Sequence, residues 1–346
     1  MAVIAATDRY VAEDAMELIE IEYESLPPVA DPVAALEEGA ALLHDDVGSN
    51  QVHHRTFRYG DPDAAFAKAD KVVKLEWRYP RYSSTPMETY GVVANFERQP
   101  DRYTIWSNFQ GPFILHALMT GALGVPGNRL RLITAPHSGG SFGIKQAMFP
   151  YMVLLGACSK LLGCPLKWIE DRLEHLIGAS AAADRADKVE AAFSNDGELL
   201  GLRFDNIVNV GAFVRAPEPA SVYRMHAASN GCYRVKDIFV ENRLVVTNMT
   251  PIGLNRGYGG PQFYYALERV MEAGAKELGI DPAEIRRRNF IQPDEFPYDS
   301  PTGATYDAGD YEAGLDQALE LAAYDDLRAA RDRARGRWGR GRGRRV

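Results

Sequence analysis

Two glycine-rich segments constrain this chain more strongly than any other feature of its sequence. Residues 254–262 place Arg256 among three glycines and lead through a proline into a helical pattern, and residues 138–145 form a second such segment. Glycine accepts positive φ angles and lets the backbone approach another group closely. Both segments are therefore expected to form tight loops in which the backbone passes near a neighbour or a ligand.

The two loops have the chemistry of an anion or cofactor site. Backbone N–H groups at the start of a helix attract anions, and the guanidinium of Arg256 offers a planar fork to phosphate or carboxylate oxygens. Neither loop fits the dinucleotide fingerprint or the P-loop. An isolated glycine-rich turn is most often only a turn, so the loops alone leave both interpretations open.

The predicted helices and strands are mixed irregularly along the chain. Sequence patterns predict strands over residues 71–79, 91–97 and 103–107, and helices over residues 112–123 and 149–162. Strict alternation of strand and helix is absent, which favours the α+β class over a doubly wound sheet.

Shorter sequence signals predict further elements before residue 71 and after residue 162. Asp8 can cap a helix, and the alternation over residues 19–24 predicts a half-buried strand. The Asn-Asp-Gly sequence at residues 195–197 is a strong signal for a hairpin turn. We therefore expect two antiparallel strands to flank that turn.

Composition excludes several classes of protein. A chain of 346 residues can form two or three domains, and its apolar runs are too short to span a bilayer. The cysteines Cys158, Cys164 and Cys232 are odd in number and lack metal-site spacing, which predicts reduced thiols in a cytoplasmic protein. The scattered histidines also lack such spacing, so no side chain is expected to ligate a metal directly.

The charge distribution is uneven. The net charge is −8, yet residues 327–346 contain nine arginines and one aspartate, so the body of the chain is strongly acidic. An acidic body disfavours nucleic acid as a partner. The Arg/Gly tail over residues 335–346 could be a basic arm that binds RNA, or a non-native end of the chain. We favour the second interpretation.

Five motifs in a fixed order carry a family resemblance. The chain resembles the molybdenum-cofactor-binding large subunit of the xanthine dehydrogenase and aerobic carbon monoxide dehydrogenase family, the molybdenum hydroxylases. The motifs are residues 86–93, 107–112, 139–143, 255–262 and 272–289. The resemblance implies the C-terminal part of an α/β hammerhead domain with a connector over residues 1–50. It implies the first molybdopterin-binding domain over residues 51–300 and the start of a second over 301–334. We expect the chain to be truncated at both ends.

The resemblance implies a role for each loop. Gln110 matches the glutamine that hydrogen-bonds the apical oxo group of molybdenum, and a neutral amide can donate there without adding charge. The two glycine-rich loops match the segments that contact the pterin and the metal. The predicted cofactor-binding residues are Gln110, Gly140, Ser141, Phe142, Gly143, Arg256 and Gly257.

The predicted substrate pocket is defined less firmly. The resemblance aligns Arg224 with an arginine that stabilises negative charge on the substrate in purine-hydroxylating members. Gln110 and Arg224 are therefore the predicted catalytic residues; a surface or salt-bridge arginine is the alternative for Arg224. Gln146 and Tyr258 complete the pocket. Purine-oxidising members carry a glutamate where Gln146 stands, which makes a purine substrate doubtful.

The resemblance also implies an activity. The expected reaction is oxidative hydroxylation of an aldehyde or N-heteroaromatic substrate with water as the oxygen source. The expected cofactor is molybdenum–molybdopterin in its cytosine dinucleotide form. Electrons would pass to a [2Fe-2S] small subunit and an FAD-binding medium subunit in a dimer of heterotrimers. The family's catalytic glutamate is expected beyond the end of this chain, so an inactive remnant that only binds cofactor or partners is the alternative.

Overall fold

The structure is a computed structural model that describes residues 2–337 except 148, 183 and 217. The strands are β1 (Gln51–Tyr59), β2 (Lys71–Tyr79), β3 (Gly91–Glu97), β4 (Arg102–Ser107), β5 (Leu130–Thr134), β6 (Leu166–Ile169), β7 (Arg185–Phe193), β8 (Leu199–Gly211), β9 (Asp237–Val246), β10 (Tyr298–Asp299) and β11 (Thr305–Tyr306). The helices are α1 (Arg9–Glu17), α2 (Pro62–Ala67), α3 (Pro112–Leu123), α4 (Phe149–Leu162), α5 (Arg172–Gly178), α6 (Ala220–Tyr223), α7 (Gly260–Leu278), α8 (Pro282–Asn289), α9 (Tyr311–Leu321) and α10 (Tyr324–Arg337).

A five-stranded sheet forms the larger core. Its strand order is β1-β9-β8-β7-β2, and every neighbouring pair is antiparallel except β8 and β9. Helix α7 presents an apolar stripe to β2 and β7, as its helical spacing of apolar residues requires. Phe193, Phe204, Leu267 and Val270 lie at the centre of this core. The sheet therefore anchors the start of α7, which directly follows the Arg256 loop.

A four-stranded sheet in the order β5-β4-β3-β6 forms the second core. Strands β4 and β5 are parallel, whereas β3 is antiparallel to both of its neighbours. Helices α3 and α4 pack against this sheet and bury Ile105, Leu115 and Met152 among its apolar side chains. Because β4 and β5 run in the same direction, the segments that follow them leave the same edge of the sheet. That edge brings the Gln110 segment and the first glycine-rich loop together.

The predicted α+β class is confirmed, and several predicted elements agree with the structure. The strand over 91–97 and the helix over 112–123 have the predicted bounds. Asp8 caps α1, and the turn at 195–197 joins the antiparallel strands β7 and β8.

The strand predicted over residues 19–24 is wrong, because that segment pairs with no strand of the described chain and a half-buried strand requires such a neighbour. The subdivision into hammerhead and molybdopterin-binding domains stays a prediction. The predicted tail lies outside the described residues beyond Arg337. Within the described residues, no helix is both long and apolar enough to cross a membrane.

Candidate functional site

The segment after β4 presents Gln110 at the start of α3. Gly111 has a φ of 74° and occupies the cap position, and Pro112 begins the helix. The Gln110 side chain is exposed, and the Ser141 hydroxyl donates a hydrogen bond to Gln110 Oε1 over 2.7 Å. The structure thus joins the predicted apical-oxo glutamine directly to the first glycine-rich loop.

The first glycine-rich loop has an unusual backbone. Gly140, Phe142 and Gly143 have φ angles of 105°, 55° and 109°. The N–H groups of Gly140, Ser141 and Phe142 find no acceptor in the part of the chain that the structure describes. Successive unpaired N–H groups in such a turn form a concave site for an anion or another acceptor. This loop can therefore hold a ligand through its main chain.

The second glycine-rich loop lies against the first. The Arg256 N–H donates a hydrogen bond to the Phe142 carbonyl oxygen over 2.7 Å, and the guanidinium carbon lies 5.6 Å from the centroid of the Phe142 ring. The Arg256 side chain is exposed and pairs with no carboxylate of the described residues. Gly257 has a φ of 78°. The backbone of Arg256 is thus held by the first loop, and its exposed guanidinium can meet an anionic ligand.

Asn255 fixes the position of this second loop. Its Nδ2 donates to the Tyr82 hydroxyl over 2.8 Å, and the Ser84 hydroxyl donates to its Oδ1. Its carbonyl oxygen accepts the N–H of Tyr258 over 2.7 Å. The loop is therefore held by the chain segment that precedes the motif at 86–93.

Gln146 lies below the Gln110 segment. Its side chain is 6% exposed, and its amide nitrogen lies 3.4 Å from the position that a Cβ on Gly111 would occupy. The structure therefore places the predicted pocket residue Gln146 in the interior, beside the Gln110 segment.

Arg224 and Tyr258 form a pair at the side of the second loop. Arg224 Nη1 donates to the Tyr258 hydroxyl over 2.7 Å, and the guanidinium carbon lies 4.8 Å from the tyrosine ring centroid. Arg224 directly follows α6 and is exposed, with no carboxylate partner in the described chain. This geometry leaves guanidinium N–H groups available to a ligand. It differs from the salt bridge of the alternative interpretation but agrees with a surface arginine, so the catalytic role of Arg224 stays a prediction.

Two residues next to the site had no predicted role. Lys145 is 1% exposed and donates from Nζ to Glu88 Oε2 over 2.6 Å. Glu88 lies within the motif at residues 86–93, but the sequence does not show that Lys145 is its partner. A buried lysine requires a compensating carboxylate. The lysine at the end of the first glycine-rich loop was therefore the sequence signal for a carboxylate partner. Across the described residues, no group of three His, Cys, Asp or Glu side chains is arranged to hold a metal ion.

Comparison with protein families matches residues 43–290 to the molybdopterin cofactor-binding domain. The matched span contains Gln110, both glycine-rich loops and Arg224. It overlaps the predicted first domain over residues 51–300.

Individual proteins match over nearly the whole chain. The carbon monoxide dehydrogenase large chain of Afipia carboxidovorans is 35% identical over 345 residues, which cover 95% of this chain and 42% of the relative. The nicotine 6-hydroxylase large subunit of Paenarthrobacter nicotinovorans is 31% identical, covering 97% and 41%. The crystal structure of quinoline 2-oxidoreductase from Pseudomonas putida 86 matches with a TM-score of 0.88 at 33% identity, covering 96% and 42%. The chain therefore spans less than half the length of each of these proteins.

Proposed function

Because this chain belongs to the molybdopterin cofactor-binding family of oxidoreductases, we propose that it provides one cofactor-binding wall in the catalytic large subunit of a molybdenum hydroxylase. The resemblance inferred from five sequence motifs is confirmed. The observation that carries the proposal is the surface formed by Gln110, residues 140–143 and Arg256, in which side-chain and main-chain donors converge.

The residues of this surface fit a large, anionic, phosphate-bearing cofactor. When bound, molybdenum–molybdopterin supplies oxygen-atom and electron transfer. The unpaired N–H groups of Gly140, Ser141 and Phe142 are suited to acceptors on the pterin or the metal centre. Arg256 supplies a guanidinium for phosphate oxygens.

Gln110 has a defined orientation in this arrangement. Its Oε1 accepts the Ser141 hydroxyl, which leaves the amide NH₂ group to donate elsewhere. A fixed neutral donor can stabilise an oxygen on which negative charge develops, without requiring a counter-ion. This supports Gln110 as the residue that would donate a hydrogen bond to an oxygen of the bound molybdenum cofactor.

The proposed reaction is hydroxylation of an N-heteroaromatic compound or an aldehyde, with water as the oxygen source. The names of two relatives, nicotine 6-hydroxylase and quinoline 2-oxidoreductase, support the N-heteroaromatic class. The free N–H groups of Arg224 can stabilise negative charge that develops on such a ring. Gln146 is neutral and buried, which supports a substrate other than a purine.

The proposed assembly contains an FAD-binding medium subunit and a [2Fe-2S] small subunit in a dimer of heterotrimers. The relatives are called a large chain and a large subunit, which supports a multi-subunit enzyme. Met87, Phe113, Leu173 and Ile177 are large apolar side chains that are mostly exposed, as expected of surfaces that pack against further protein. The cytosine dinucleotide form of the cofactor and the cytoplasmic location belong to the same proposal.

A second candidate function is cofactor or partner binding without turnover. Gln110, Phe142 and Arg256 are exposed, so the described residues provide one open wall. Electrostatic catalysis requires a site from which water is excluded. A chain with only this wall would bind the cofactor and leave the substrate unchanged.

Co-expression with the medium and small subunits distinguishes the two functions. Molybdenum content is measured by mass spectrometry and turnover by dye reduction with quinoline, benzaldehyde or xanthine. Bound molybdenum with reduction by quinoline or benzaldehyde supports the enzyme, and bound molybdenum without turnover supports binding alone. A complex that contains neither molybdenum nor pterin contradicts both the enzyme and cofactor binding, and leaves only partner binding.

A further inference from the structure

We propose that Glu88 is the positioning residue that fixes the first glycine-rich loop against the Gln110 segment. This inference rests on the proposed function, because the loop it positions is the proposed cofactor wall. Glu88 lies outside the set of proposed cofactor-contacting residues, and its hydrogen bonds hold Gly139 and Lys145, which flank the loop part of that set.

Glu88 contacts the loop through both its main chain and its side chain. Its N–H donates to the Gly139 carbonyl oxygen over 3.2 Å, and its Oε2 accepts the Gly139 N–H over 3.1 Å. The Ser138 hydroxyl lies 3.4 Å from the same carboxylate oxygen. A Cβ on Gly139 would lie 2.6 Å from Glu88 Cβ, so the loop rests directly on this side chain.

Lys145 connects the far end of the loop to the same carboxylate. It follows Gly143 by two residues, and its buried ammonium donates to Glu88 Oε2 over 2.6 Å. Glu88 thus holds Gly139 at one end of the loop and Lys145 at the other. Loss of the carboxylate would leave a buried cation without a partner, which is unfavourable.

The segment that carries Glu88 is itself rigidly held. Arg172 Nη2 donates to the carbonyl oxygens of Pro86 and Met87 over 2.7 and 2.9 Å. Asn108 Nδ2 donates to the Thr89 carbonyl oxygen over 2.7 Å. Since Asn108 lies two residues before the proposed apical-oxo glutamine, this segment connects both halves of the cofactor wall.

The Glu88 carboxylate is poorly suited to accept a proton during the reaction. Partial burial opposes its ionisation, but the hydrogen bonds from Lys145, Asn108 and Gly139 outweigh burial and hold the pKa of Glu88 below its ordinary value. A carboxylate that is stabilised in this way is a weak base. It therefore contributes geometry and leaves proton transfer to other groups.

Three variants test the positioning role. Glu88→Ala removes the acceptor of Gly139 and the counter-ion of Lys145. The double variant Glu88→Gln with Lys145→Gln removes both charges of the ion pair and leaves at position 88 an amide oxygen that can still accept the Gly139 N–H. Glu76→Gln is the control, because Glu76 forms an exposed pair with Lys188 at 3.4 Å, away from the loop.

Hydrogen exchange of the cofactor-free chain is the first measurement. In Glu88→Ala, we expect the hydrogen-bonded amides within residues 139–147 to exchange at least about tenfold faster, while the amides of β4 and β8 keep their rates. The double variant is expected to restore the wild-type rates, and Glu76→Gln to leave them unchanged. Equal exchange rates in wild type and Glu88→Ala would overturn the proposal.

Cofactor content in the co-expressed complex is the second measurement. We expect Glu88→Ala to lower the molybdenum-to-protein ratio at least about tenfold, with recovery in the double variant. A wild-type complex without cofactor, together with faster exchange in Glu88→Ala, would overturn the proposed function and leave the loop contact established. Undiminished cofactor content in Glu88→Ala would overturn the positioning role.

Discussion

Gly143 lies so close to Leu254 that a Cβ on Gly143 would be 2.9 Å from the Leu254 carbonyl oxygen. The two glycine-rich loops therefore touch through their backbones at this point. Because Gly143 also has a φ of 109°, no other residue fits without moving one loop relative to the other.

We predict that Gly143→Ala lowers cofactor content strongly. Gly303→Ala is the matched control, because Gly303 has a φ of 110° and no atom within 4 Å of a built Cβ. Both variants carry backbone strain of about 1–3 kcal/mol, but only Gly143→Ala displaces the loops. Urea unfolding and molybdenum content are measured for both. Similar cofactor content in the two variants would contradict this account of the loop contact.

We predict that Gln110→Glu abolishes most turnover and leaves folding intact. A carboxylate cannot donate to an oxo group, and it adds negative charge to the site. Loss of one such donor costs roughly 100-fold or more in kcat. Because Gln110 is exposed, the unfolding free energy should change by less than about 1 kcal/mol.

Ser141→Ala is the companion variant for Gln110. It removes the hydroxyl that orients the Gln110 amide and leaves the amide itself in place. We expect a smaller loss of kcat than in Gln110→Glu, measured by steady-state dye reduction. An unchanged kcat in Gln110→Glu would remove Gln110 from the catalytic residues.

Arg224 tests the substrate side of the site. Arg224→Ala removes the guanidinium, whereas Tyr258→Phe removes only the hydroxyl that accepts its hydrogen bond. We expect Arg224→Ala to lower kcat/KM for quinoline at least about tenfold and Tyr258→Phe to lower it less. If kcat/KM is the same in wild type and Arg224→Ala, Arg224 is a surface residue.

Asp187 predicts a pH dependence of stability. Burial raises the pKa of Asp187 to about 7, although the nearby Arg185 guanidinium opposes this effect and Asp205 adds to it. The unfolded carboxyl releases its proton near its ordinary pKa, while the folded one retains it up to about pH 7. The folded state binds more protons in this interval, so its stability falls as pH rises and levels off above about pH 7.

Asp187→Asn removes this titration and keeps the shape of the side chain. We expect the difference in unfolding free energy between wild type and the variant to change by up to about 1.4 kcal/mol per pH unit between pH 5 and 7. Urea unfolding at pH 5, 6, 7 and 8 measures it. A difference that is the same at every pH would show that Asp187 does not titrate in this range.

Local signals made parts of the fold predictable. The helix over 112–123 begins at a proline and ends before Gly124 with a φ of 64°, so both ends are marked in the sequence. The strand predicted over 19–24 was wrong because a strand depends on a partner that its own pattern does not specify. Period-two alternation alone cannot supply that partner.

The sequence motifs identified the loops that form the candidate site. The contacts between these loops could not be predicted, because they join residues that are far apart in the sequence. Glu88 is 57 residues from Lys145, and Phe142 accepts a hydrogen bond from Arg256 in another loop. Sequence spacing could identify each loop, but only the fold could show which atoms of the loops meet.

Binding of the pterin cofactor to the two loops tests the central claim most directly. The chain is co-expressed with its partner subunits, and pterin and molybdenum are quantified per chain for wild type, Arg256→Ser and the control Arg269→Ser. Arg269 is exposed on α7 and lies away from both loops. We predict about one cofactor per chain in wild type and Arg269→Ser, and a large loss in Arg256→Ser. Equal cofactor content in all three, or none in wild type, would contradict the account.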